Sequence, residues 1–200
     1  MFVKQKVNSN TPGGFQRLDL FRLPKGFRGR PAIIVQLWWL AQALIFKPLP
    51  QICYGLRRSV LRLFGAKIGV GVRLRPGVEV TYPWKLTIGD YAWIGDDVVL
   101  YTLGPISIGS HTVVSQSSYV CAADHDHSMI DFPIRERPVT IGSEVWIASD
   151  VWIGPGVTIG DGAVVGARST VTKDLPAGMV CTGAPCVPVK PRVMKAAANP

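Results

Sequence analysis

From Ile141 onward a β-branched aliphatic residue recurs every six positions: Ile141, Ile147, Ile153, Ile159, Val165 and Val171. The next residue is always small (Gly142, Ala148, Gly154, Gly160, Gly166, Thr172), and four places after each aliphatic stands Val145, Val151, Val157, Ala163, Ser169 or Leu175. A period of six fits neither a 3.6-residue helix nor the alternation of a plain strand. It fits a solenoid of short strands joined by tight turns. The aliphatic side chain points into a narrow three-sided prism, and its small successor lets the backbone round the corner without a clash. Three units make one coil of 18 residues. Stacked coils pair their strands in parallel and bury an aliphatic column.

The same phase is present earlier. Ile68, Leu74 and Val80 head one coil, Ile88, Ile94 and Leu100 the next, and Ile108, Val114 and Val120 a third, for about five coils in all. The first two are 20 residues long, so each carries a two-residue bulge. Between Val120 and Ile141 the rhythm breaks, and about 15 extra residues form a protruding loop near 121–138 that contains AADHDHS. Loops that leave a rigid scaffold are where function concentrates.

The amino-terminal part is different. Residues 1–30 are polar, basic and Gly/Pro-punctuated, a composition expected to be poorly ordered until packed on something. No charge occurs from Pro31 to Phe46, and Pro31 and Pro48 bracket a helix over 31–47. That helix is shorter than the ~20 apolar residues needed to span a bilayer. A second helix is expected over about 51–64, with Arg57, Arg58 and Arg62 beside Leu56, Val60, Leu61 and Leu63. The helices either cap the open end of the solenoid or rest Trp38, Trp39 and Phe46 on the inner face of a membrane. The domain division is then a basic, helical segment at 1–66, the β-helix at 67–187 and a tail at 188–200.

Lys+Arg 22 against Asp+Glu 13 gives a net charge of +9, which favours an anionic partner: nucleic acid, an acidic membrane or a phosphorylated cofactor. Nucleic acid has only the charge in its favour, because no aromatic-basic recognition module accompanies it. Cys53, Cys121, Cys181 and Cys186 form no CxxC pair, and the first 15 residues lack an apolar core, so a reduced, cytoplasmic chain is expected.

The hexapeptide repeat is the signature of the left-handed parallel β-helix; the hand is an exception to the crossover rule and rests on resemblance. The segment VTIGSEVWIASDVWIGPGVTIGDGAVVGARSTVTKDLPAGMVCTGAPC resembles the carboxy-terminal half of the maltose, galactoside and nodulation-factor O-acetyltransferases. LRLFGAKIG, VTYPWKLTIGDYAWIGDDVVLY and ADHDHS are more similar still to the colanic-acid biosynthesis acetyltransferases. The resemblance spans about residues 55–190. It implies transfer of acetyl from acetyl-coenzyme A to a sugar hydroxyl of a nucleotide-linked, lipid-linked or polymeric saccharide. It also implies homotrimers with each active site between neighbouring chains.

Such a reaction needs a base for the hydroxyl proton, donors for the oxyanion and a grip on coenzyme A. Histidine suits the base, and the chain has His111, His125 and His127. The family's catalytic histidine matches His125, with His127 the alternative. His111 stands at a turn beside Ser110, where a solvated or capping role is expected. The partner that orients His125 is a backbone carbonyl or a carboxylate such as Asp126. Asp124, His125, Asp126 and His127 together suggest a metal site, but adjacent residues on an extended chain point in opposite directions, and no metal is expected. Cys121 lies close to His125, so an acyl-cysteine is a minor alternative that needs an activated thiol.

Relatives contact the acceptor through an asparagine whose position is Gly95 here. Asp96 or Asp97 either takes over that contact or is an ordinary turn residue. Asp126 and His127 are further candidates for the acceptor. By resemblance coenzyme A lies along Ser149, Ala167, Thr172 and Lys173. The family's arginine after the exit turn is Val187 here, with Lys190 or Arg192 as substitutes. Trp93, Trp146 and Trp152 line either an interface or a groove. The competing readings are a hexapeptide acyltransferase for an amino sugar, serine or antibiotic, and a non-catalytic β-helix binding module.

Overall fold

In the computed structural model, which describes residues 14–195, the six-residue rhythm becomes a three-sided parallel β-helix. The first face stacks Lys67–Ile68, Leu86–Ile88, Ile106–Ile108, Val139–Ile141 and Thr158–Ile159. The second stacks Arg73–Leu74, Trp93–Ile94, Val113–Val114, Trp146–Ile147, Val164–Val165 and Met179–Gly183. The third stacks Glu79–Val80, Val99–Tyr101, Tyr119–Cys121, Trp152–Ile153 and Thr170–Val171. The pairing is in phase with the repeat: Ile68 faces Ile88, Ile88 faces Ile108, Ile108 faces Ile141 and Ile141 faces Ile159. Five turns are complete, and Leu175 beside Ile159 and Cys181 beside Val165 begin a sixth. The last strand, Cys186–Pro191, returns antiparallel against Met179–Gly183, so ordered pairing extends into the stretch read as a tail.

The small residue after each aliphatic serves a different purpose from the one expected. The left-handed backbone falls two residues later, at Tyr91, His111 and Glu144 on the corner between first and second faces, and at Asp97, Ser117, Asp150 and Arg168 on the next, with φ between 55° and 59°. Smallness is required because the following coil passes directly over. A Cβ on Gly89 would lie 2.6 Å from the Ser110 amide nitrogen, and one on Gly95 2.5 Å from that of Gln116. Stacking, and not the turn itself, selects these glycines.

All three insertions leave from the third corner, where the third face returns to the first. The two short ones hold the base of the long one. Thr102 Oγ1 accepts from the Tyr82 amide at 2.6 Å, and Lys85 Nζ donates to Glu136 at 2.7 Å and to the Phe27 carbonyl at 2.6 Å. Phe27, Val35, Tyr82, Leu103 and Ala123 form a small second core there. Residues 14–30 run along this corner, mostly exposed, anchored by the buried Phe27 and by the Arg17 amide donating to Ile130; residues 1–13 lie outside the described part.

The open end of a parallel sheet leaves backbone groups without partners. Two helices supply them. Helix α1, Ala32–Ala41, continues into a π-helical turn, Gln42–Phe46. Trp38 Nε1 donates to the Val80 carbonyl, and Gln42 Oε1 accepts from the Val80 amide, both at 2.8 Å. Helix α2, Tyr54–Leu63, aims one arginine per site: Arg57 at the Leu74 carbonyl, Arg58 at Val72 and Arg62 at Ile68. Trp38 and Phe46 are buried under this cap and have no membrane to meet, contrary to one expectation; Trp39 is exposed. The outer side of α1 and its extension carries an exposed stripe, Ile33, Leu37, Leu40 and Leu44. No helix among the described residues is long and apolar enough to cross a membrane.

Candidate active site

The long insertion is a hairpin. Ala123–His125 pairs antiparallel with Ile134–Glu136, placing His125 opposite Ile134. His125 Nδ1 lies 2.9 Å from the Phe132 carbonyl oxygen, and its ring stacks on Phe132 with centroids 4.3 Å apart and planes 8° from parallel. Phe21, from the packed amino-terminal segment, closes a third side at 6.1 Å. A carbonyl only accepts, so Nδ1 carries the proton and Nε2 keeps its lone pair, the tautomer a general base requires. The orienting group is thus the backbone carbonyl and not Asp126.

Asp124 and Asp126 point to the other side of the strand, as alternation dictates. Arg135 grips both, with Nε 2.8 Å from Asp124 and Nη1 2.9 Å from Asp126. Asp126 also accepts from the Ser128 hydroxyl and amide, which, ahead of Arg135, hold its carboxyl below the ordinary range. Asp126 is therefore engaged in building the hairpin. His127 is exposed. Among the described residues no group of three or more His, Cys, Asp or Glu is placed to hold a metal ion. Burial pushes the Cys121 thiol up, the opposite of what an acyl-cysteine needs.

The other candidates occupy two corners. Thr172 and Lys173 are exposed on the third corner, the one that bears the histidine hairpin. Ser149 and Ala167 lie on the second corner, together with Asp96 and Asp97. A whole face of the prism, roughly 15–20 Å of extended chain, separates the two sets. One chain does not bring them together.

At the second corner Ser149 and Ala167 line a hollow of about 450 Å³ with Ser115, Gln116, Ala148 and Gly166, and Trp146 and Val164 line it too. The small side chains at the corner leave room for a slender arm against the backbone, which fits the pantetheine of coenzyme A. Arg168 stands beside it, highly exposed and 3.4 Å from Asp150. The sequence reading missed this residue, although it occupies the outward-pointing third position of a corner. Arg192, by contrast, donates through Nη1 to the Glu144 and Gly162 carbonyls on the first corner. Lys190 is exposed on the last strand. Asp97 is a left-handed turn residue, and Asp96 accepts from Arg75 Nε at 2.9 Å. Trp93 and Trp146 are exposed on the second face and Trp152 on the third.

A stacked three-sided coil with a histidine hairpin on one corner and a small-residue hollow on another is the architecture of a hexapeptide-repeat transferase. Residues 138–173 match the family described as bacterial transferase hexapeptide (six repeats). Over 178 residues the chain is 60% identical to the colanic acid biosynthesis acetyltransferase WcaF of Escherichia coli strain K12, covering 89% of this chain and 98% of that protein. A maltose O-acetyltransferase from Clostridium difficile 630 superposes with a TM-score of 0.72 at 28% identity, over 82% of this chain and 90% of that one. A hexapeptide-repeat acetyltransferase from Vibrio cholerae O1 biovar eltor, complexed with acetyl-coenzyme A, does so with a TM-score of 0.73 at 25% identity, over 81% and 88%. The chain belongs to the hexapeptide-repeat acetyltransferases.

Proposed function

We propose that this chain transfers acetyl from acetyl-coenzyme A to a sugar hydroxyl in exopolysaccharide biosynthesis, with His125 as general base. The observation that carries this reading is the Nδ1 contact to the Phe132 carbonyl, which leaves Nε2 able to take a proton. The thioester supplies an activated acetyl group. Nε2 accepts the acceptor's hydroxyl proton as its oxygen bonds to the acetyl carbon, and the same nitrogen returns the proton to the departing thiolate. Ser149 and Ala167 hold the arm of the donor, and Thr172, Lys173 and Arg168 meet its phosphates. Asp96 and His127 remain acceptor contacts in this scheme. A metal has no part in it.

The division of these groups between two corners favours a cyclic homotrimer. The third corner of one copy meets the second corner of the next, and three such contacts close the ring with three complete sites. The colanic-acid name of the 60%-identical relative supports an exopolysaccharide acceptor, nucleotide- or lipid-linked.

A peripheral position on the cytoplasmic face of a membrane, through 31–64, completes the reading. The exposed Ile33, Leu37, Leu40 and Leu44 stripe, with Arg30 and Lys47 at its ends, suits an anionic bilayer surface. Liposome flotation of the full chain against Leu37→Glu tests it; equal flotation of both proteins, or none of either, removes the membrane from the account.

The test of the main reading is acceptor-dependent thiol release from acetyl-coenzyme A across a panel of saccharides, with His125→Ala alongside. Turnover is expected to fall by about 10²–10⁴. Undiminished turnover sinks the assignment.

A further inference from the structure

The second face carries a trough of which the chemistry above uses only the Asp96 end. It starts under α2 as a hollow of about 610 Å³ lined by Tyr54, Arg58, Arg73, Tyr91, Trp93 and His111. A second hollow of about 270 Å³ shares Tyr54, Arg73 and Trp93 with the first and adds Arg75, Gly95, Asp96, Ser115 and Gln116. Ser115 and Gln116 also line the hollow that holds Ser149 and Ala167. The three adjoin along one face, so a ligand lying in the trough points toward the donor hollow.

Charge and shape differ along its length. The donor end has small side chains, whereas the α2 end has three arginines against one carboxylate, Asp96. Arg75 is paired with Asp96, and Arg58 donates to the Val72 carbonyl. The Arg73 Cζ lies 4.8 Å from the centroid of the Trp93 ring, and Arg73 has no carboxylate partner among the described residues. A guanidinium over an indole face, without a carboxylate, retains N–H donors for an anion. Tyr91 and His111 stack at 5.3 Å beside it, extending the aromatic wall. Gly95 offers no side chain and no room for one, because the next coil passes 2.5 Å from where its Cβ would stand, so a ligand here is held by the groups around it.

We propose that this trough is the acceptor subsite and that it selects a saccharide bearing a negative charge, a carboxylate or a phosphate, with Arg73 as the contact that reads the charge. This inference rests on the acetyltransfer reading for its link to catalysis, but its binding claim stands separately. Sugar rings pack their apolar faces on Trp93 and Tyr91, and the anion sits between Arg73 and Arg58.

Calorimetric titration of the full-length protein, without acetyl-coenzyme A, tests it. The probes are a glucuronate-containing oligosaccharide, UDP-glucose and neutral maltotriose. At least one charged probe is expected to bind about tenfold or more tightly than the neutral one, and which of the two does so tells carboxylate from phosphate recognition. Arg73→Gln is expected to abolish that preference, whereas Lys67→Gln, an equal charge change on the first face, leaves it intact. Circular dichroism checks that both variants fold. Equal binding of charged and neutral probes, no binding by any of them, or an unaltered preference in Arg73→Gln overturns the proposal. Thiol release distinguishes the two failures. Charge-selective binding without turnover on any acceptor sinks acetyl transfer alone; turnover without charge preference sinks the subsite alone.

Discussion

His125 Nδ1 sits 2.9 Å from the carbonyl oxygen of Phe132, a residue held at a φ of 48° and stacked on the same imidazole. Ring and carbonyl come from one residue, so Phe132 sets both the tilt and the tautomer of the histidine. Phe132→Ala keeps the carbonyl but loses the stacking surface. It should lower kcat about ten- to a hundredfold while the KM for acetyl-coenzyme A stays unchanged, since misplacing a base costs rate and not donor binding. Steady-state kinetics checks this; a rise in the donor KM with kcat intact contradicts a positioning role.

Asp126 links the hairpin to pH. Its folded-state carboxyl titrates below the ordinary range because Ser128 and then Arg135 favour the charged form. A depressed pKa contributes stability above the unfolded value, near 4, and loses it as pH falls through the folded value. Hydrogen-exchange protection at Arg135 and Arg137, whose amides face the partner strand, should therefore drop below about pH 4. In Asp126→Asn it should be lower at neutral pH and change less on acidification. Parallel acid profiles for the two proteins contradict this.

Arg57 is wholly buried, and its donors reach the carbonyls of Leu74, Gln51 and Leu49. Removing the guanidinium leaves buried acceptors unsatisfied at the solenoid's open end. Arg57→Ala should cost about 2–4 kcal/mol, read as a lower urea midpoint. An unchanged midpoint would mean that α2 does not cap the coils as described.

Gly95→Asn puts a side chain where the third coil passes closely over the second. The Cβ would stand 2.5 Å from the Gln116 nitrogen, so coils two and three must spread. A loss of about 1–3 kcal/mol is expected, seen as a lower Tm. A variant as stable as the parent contradicts the tight stacking at this corner.

What the sequence made legible follows from how local each feature is. The register of Ile108 with Ile141 is readable across a 15-residue insertion because the repeat resumes in phase. That the insertion carries His125 is equally plain. The Phe132 contact is not, since it depends on which residues of the loop pair to form a hairpin. Arg57, Arg58 and Arg62 stand out in the sequence as charges on an amphipathic helix, yet their carbonyl partners, at Leu74, Val72 and Ile68, are fixed only once the first coil forms. Whether Trp38 covers the solenoid or meets a membrane stayed open, because sequence shows an apolar helix but not which of its sides packs. The division of Ser149 and Ala167 from Thr172 and Lys173 was available in the repeat phase, because consecutive units occupy consecutive corners.

That division gives the most direct test. His125→Ala disables the third-corner half of the site, and Ala167→Trp fills the second-corner hollow. Each variant alone should be inactive. Mixed one to one and allowed to exchange subunits, they should recover roughly a quarter of wild-type thiol release, because half of the copies carry each intact half and a site needs both. A mixture that stays inactive after exchange, shown by mass spectrometry of mixed trimers, would contradict a site built between neighbouring copies around His125.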